Sequence, residues 1–99
     1  MVRVESKLLD AIKDAHLNNI SRDTLAYHIG ESLAEVYHIG GTPFVKTLIT
    51  KYSYFVKEAV ETNEIMQGMY EKAEELGYYN DKLNSVIAEI SATYQECAA

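Results

Sequence analysis

A chain of 99 residues with a formal net charge of −6 and an apolar share of 47% reads as one domain, large enough for a modest core and too apolar for a disordered chain. The acidic balance argues against a general affinity for nucleic acid or anionic membrane, and no stretch approaches the ~18 apolar residues of a membrane span. Met1 to Asp10 carries Arg3, Glu5, Lys7 and Asp10 among its apolar residues, which is not the pattern of a secretory leader, so a cytosolic location is expected.

Residues 4–16 place Val4, Leu8, Ala11, Ile12 and Ala15 on one side, with Lys7, Asp10, Lys13 and Asp14 mostly opposite. That is the pattern of an amphipathic helix. Leu17 to Ser21 is a connector: Asn18-Asn19 supplies turn chemistry, and Ile20 before a Ser21 cap can staple the next helix. Over 22–39, Leu25, Ile29, Leu33 and Val36 keep a helical period throughout, which predicts one helix. The recurrence of Tyr27-His28-Ile29-Gly30 as Tyr37-His38-Ile39-Gly40 predicts instead two short helices, each closed by its Gly. The divided form looks like a helix-turn-helix, with Leu25, Ala26, Ile29, Gly30, Val36 and Ile39 at the packing and turn positions. Its second helix would offer Glu31, Ser32, Glu35, Tyr37 and His38 to DNA and no Lys or Arg, so DNA binding is the lesser reading.

Thr42-Pro43 after Gly40-Gly41 is a strong start signal. From there Phe44, Leu48, Tyr52, Phe55, Ala59, Met66, Tyr70 and Ala73 recur by threes and fours to Gly77, with one gap at Thr62-Asn63. This predicts one long helix over 43–76 as the centre of the fold, closed by Gly77. At ~1.5 Å per residue it would span roughly 50 Å, more than its neighbours can cover. Two places could split it: the polar run Glu61 to Glu64, where Thr62 or Asn63 could cap a new helix, and Gly68. Its charge runs from +2 over 42–60 to −4 over 61–77, opposite to what a helix dipole favours. An antiparallel copy would reverse that, setting Lys46, Lys51 and Lys57 of one chain against Glu61, Glu64 and Glu71 of another.

Tyr78 to Asp81 makes a turn with Asn80 as cap. Leu83, Val86, Ile87, Ile90 and Tyr94 mark a last helix over 81–95, expected to fold back on the second half of the long one, before Glu96 to Ala99 frays. The expected fold is therefore an all-α bundle of four helices, five if 22–39 divides at Gly30, and a two-fold dimer.

Candidate chemistry is sparse. His28, Glu31, Glu35 and His38 share one face of a continuous helix, and Glu35-x-x-His38 has the spacing of carboxylate-bridged metal bundles, but no second such pair exists in the chain. These four are the weak metal candidates; no cofactor and no catalytic residue is implied. The single Cys97 cannot form an internal disulfide. Tyr52, Tyr70 and Tyr94 fall on apolar stripes, whereas Tyr54, Tyr78 and Tyr79 read as exposed contact residues. The leading expectation is a non-enzymatic homodimer that acts on another, unidentified protein. In size and composition it is similar to many short regulatory, immunity-type or virus-encoded inhibitory proteins.

Overall fold

The structure is a computed structural model that describes residues 2–18 and 20–98; Asn19, half of the expected turn, lies outside them. It is all-α: α1 (Val2–Leu17), α2 (Arg22–Lys51), α3 (Ser53–Ala59), α4 (Glu64–Glu75) and α5 (Asn80–Ala98). In α1 the expected stripe is the buried one, with Val4, Leu8, Ala11 and Ile12 inside. Ser21 caps α2, its Oγ accepting from the Thr24 amide at 3.1 Å. The helix then runs through Gly30 without a break, and the only non-helical residue inside it is Gly41. The division at Gly30 is thereby corrected, and with it the helix-turn-helix likeness, which has no turn.

Gly41 has φ 71° and ψ −160°, a combination open essentially to glycine alone. There the chain doubles back. A straight helix would carry Glu58 some ~54 Å from Arg22, yet the guanidinium of Arg22 donates to the Glu58 carbonyl and to the Glu61 carboxylate, both at 3.2 Å. The molecule's longest dimension is 39 Å. Thr42-Pro43 opens the returning half, as the sequence predicts, since Pro43 occupies a position whose amide would have no acceptor.

The single rod over 43–76 is the main correction, for it is broken in two places. At Tyr52 (φ −115°, ψ 34°) the direction is nearly kept, because the flanking amide bonds, Tyr52 to Leu48 at 3.0 Å and Val56 to Tyr52 at 3.1 Å, remain helical in span. At 60–63 the helix ends. The amides of Glu61 and Thr62 donate only three residues back, to the Glu58 and Ala59 carbonyls at 3.4 and 3.0 Å, and the Thr62 hydroxyl also donates to Ala59 at 2.9 Å. The Asn63 carbonyl then accepts from Met66 and Gln67 to begin α4. The break falls on the polar run that interrupts the apolar stripe, not on Gly68. It also settles the charge order: Lys51 and Lys57 stand in the last turns of α2 and α3 and Glu64 in the first turn of α4, each favourable for the dipole of its own shorter helix.

Gly77 closes α4 with φ 101°. The Tyr78 amide donates to Ala73 and the Gly77 amide to Glu74, both at 3.0 Å, the pair of bonds that defines a Schellman end. Asn80 follows with φ 57°, a left-handed conformation that Asn tolerates better than most residues. α5 continues past the expected boundary at 95, through Glu96 and Cys97 to Ala98; Ala99 is outside the described residues.

The long α2 contacts each of the other four helices, α4 most extensively. The closeness of that pairing has a specific cause. A Cβ built on Gly30 would lie 2.1 Å from the Ile65 carbonyl oxygen, and one on Gly68 would lie 2.1 Å from that of Tyr27. The two backbones touch where neither residue has a side chain, with Ala26 and Ala34 one turn to either side of Gly30 and both buried. Against expectation, α5 packs more on α2 than on α4. Val86, Ile87 and Ile90 join the common core, and the link to α4 is narrow, with Ser91 Oγ and Tyr94 Oη donating to the Met66 sulfur at 3.7 and 3.5 Å.

Candidate functional site

An open cleft of about 360 Å³ lies between α1 and α2, lined by Lys7, Asp10, Ala11 and Asp14 from α1, Ile20 from the connector, His28, Glu31, Ser32 and Glu35 from α2, and Lys72 from α4. Because α2 is continuous at Gly30, the spacing of His28, Glu31 and Glu35 brings all three to it. His38 does not join them; its Nδ1 lies 3.0 Å from the Tyr78 hydroxyl. The α1 acids and the two lysines could not be anticipated, since nothing in the chain's periodicity says which face of α1 meets which turn of α2.

Inside the cleft His28 Nδ1 hydrogen-bonds Glu31 Oε1 at 3.0 Å. Ser32 is adjacent, and a hydroxyl, an imidazole and a carboxylate are the residue types of acyl transfer. The connectivity differs: Ser32 Oγ donates to the His28 carbonyl at 2.9 Å, so the imidazole does not hold its proton. Lys72 is nearly enclosed, 14% exposed, and reaches Glu75 at 3.5 Å. Tyr27, on the next face of α2, has its hydroxyl pKa raised above 10, first by burial and then by the negative charges of Glu31 and Glu71. Among the described residues no three His, Cys, Asp or Glu side chains come close enough together to hold one metal ion.

A second feature lies at the end of the bundle where α2 doubles back. Here the aromatic ring of Tyr78 stands edge-on to Tyr37 and His38, at centroid separations of 6.4 and 5.6 Å, and Lys82 Nζ sits 5.6 Å from its centroid. The Tyr37 hydroxyl donates to the Glu89 carboxylate, which, with burial, pushes the Tyr37 pKa up to about 12. Tyr37 and Tyr78 are half-buried and His38 and Lys82 exposed, and near them in the chain Ile39, Phe44 and Tyr79 are 50%, 37% and 60% exposed. The Phe44 ring packs over Gly40, and the His38 contact with Tyr78 joins the turn after α4 to α2 just before its bend at Gly41. Phe44 belongs to the stripe the sequence assigns to the core, and Ile39 to the packing positions of the divided reading of 22–39; both are exposed in the fold.

The other residues picked out by sequence are dispersed. Tyr78 is half-buried rather than exposed, while Tyr54 is exposed and stands by Lys57 and Cys97 in a shallow pocket near the end of α5. Tyr79 precedes the start of α5, roughly 25 Å away along the helix, so the three tyrosines do not form one surface. Lys51 pairs with Glu5 of its own chain at 3.2 Å and Glu61 with Arg22. Lys46, Lys57 and Glu71 are exposed and Glu64 half-buried. Comparison with known protein families, with curated proteins and with solved structures finds no match.

Proposed function

We propose that this protein works by docking against another protein rather than by catalysis, and that the docking surface is the end of the bundle formed by the Gly41 bend and the turn from α4 to α5. What carries this reading is the exposure of Ile39, Phe44 and Tyr79 next to the edge-on rings of Tyr37, His38 and Tyr78. Exposed apolar residues scattered singly need no explanation, whereas several held together at one end mark an interaction surface. Tyrosine and phenylalanine on a pre-organised base lose little entropy when covered. The test is affinity capture from the source cells with the wild-type chain and with Ile39→Asp/Tyr79→Asp. A partner held by the first and lost by the second supports the reading; identical retention by both, or none by either, overturns it.

Self-association is the second reading. Its original ground, an uncovered rod, is gone, but Lys46 and Lys57 make no ion pair among the described residues and remain free for the acids of another copy. Sedimentation velocity of the wild type and of Lys46→Glu/Lys57→Glu decides it: a dimer weakened by the double change supports pairing through these residues, and a dimer of unchanged strength or a single chain in both opposes it.

A further inference from the structure

We infer that Met66 is a site of reversible oxidation, its sulfur taking one oxygen atom from a hydroperoxide, and that Ser91 and Tyr94 hold the sulfoxide so formed. This is independent of the docking reading and starts from where two hydroxyls point. The Met66 sulfur, on α4, accepts from Ser91 Oγ at 3.7 Å and from Tyr94 Oη at 3.5 Å, both from α5. Among the described residues neither hydroxyl makes another hydrogen bond. Tyr94 is buried and Ser91 half-buried, and a Tyr hydroxyl taken out of water ordinarily finds an oxygen acceptor, whereas a thioether is a weak one. Two donors are thus committed to one poor acceptor. An oxygen added to that sulfur gives them a strong one, because the sulfoxide is polar where the thioether is not.

Access separates this methionine from its neighbour. Met66 is half-buried, whereas Met69 is 0% exposed in the common core, so a peroxide meets the first far more readily than the second. In the step itself a sulfur lone pair attacks the terminal peroxide oxygen, and the S–O bond forms as the O–O bond breaks. Sulfur gives up two electrons, and the proton of the transferred oxygen passes to the departing one, which leaves as water or an alcohol. A thiol-dependent reductase reverses the change, two thiols becoming a disulfide while the oxygen leaves as water. Oxidation of a methionine ordinarily disrupts the packing around it; here the new oxygen has donors in place, and the narrow contact of α5 with α4 is kept.

The experiment treats the full chain with hydrogen peroxide, then with dithiothreitol, which restores the exposed Cys97 and leaves sulfoxide in place. Peptide mass mapping locates the added oxygen, and thermal midpoints are compared before and after oxidation. Met66 should gain one oxygen about tenfold faster than Met69. Ser91→Ala/Tyr94→Phe removes both donors and keeps the ring; oxidation should lower its Tm by roughly 4–8 °C more than it lowers that of the wild type, the shift expected for about one net hydrogen bond. Ser91→Ala alone, at a half-buried position, gives the same comparison should the double variant not fold, and Met66→Leu should melt alike with and without peroxide. Equal rates at Met66 and Met69, or an oxidation-induced change in Tm of the same size with and without the hydroxyls, overturns the inference.

Discussion

Gly68 and Gly77 matter for opposite reasons, which substitution separates. Gly68→Ala gains about 1 kcal/mol of helix propensity but places a carbon 2.1 Å from a backbone oxygen of α2, and overpacking of that kind costs about 1–3 kcal/mol or more. Because the obstacle is main chain, trimming a neighbouring side chain cannot relieve it. Gly77→Ala meets nothing within 4 Å and loses about 1 kcal/mol through its left-handed backbone alone. Both variants should unfold earlier in denaturant, at roughly 4–8 °C of Tm per kcal/mol, and only Gly68→Ala should perturb shifts across α2. Tyr37 supplies a pH test. Its hydroxyl titrates near about 12 when folded against 10 when unfolded, so the neutral form is favoured by folding; its contribution is complete below pH ~10 and is lost as pH rises towards ~12. Besides the raised Tyr27, ultraviolet titration should show a tyrosine titrating at about 12, moved back towards 10 by Glu89→Gln and removed by Tyr37→Phe.

At the scale of the element, the bend at Gly41 organises the molecule more than any helix does. Gly41→Ala forces a side chain into a glycine-only region at about 1–3 kcal/mol, with no help from the open space around it, where the nearest atom is 3.8 Å away. The variant should be destabilised and should lose the Arg22 to Glu58 contact, seen as shifts at both ends of the returning hairpin. Helix starts and stops were legible here: Ser21, Thr42-Pro43 and Gly77 act as local chemistry says, because caps are settled by bonds within a few residues. The break at 60–63 was also visible, as a gap in the apolar stripe and as a charge order wrong for one dipole. Those signs were outweighed by a period that resumes in phase beyond the gap, and phase says nothing about whether the axis continues.

For the whole molecule, the contact of α2 with every other helix predicts a single cooperative transition. Far-ultraviolet dichroism and tyrosine fluorescence should report the same midpoint in urea; an earlier loss of signal from α1 would show that it docks as a separate unit. By themselves the residues determined what depends on neighbours in the chain: an all-α protein, the stripes of α1 and α5, the Ser21 cap and the Gly77 closure, and, for a continuous α2, a face carrying His28, Glu31 and Glu35. Only the tertiary structure decided that Gly30 and Gly68 meet, that α1 and Lys72 complete the cleft, and that Ile39 and Phe44 are exposed. The physical reason is that periodicity records which side of a helix is apolar, whereas partner, distance and exposure follow from where two turns, at Gly41 and at 60–63, send the chain.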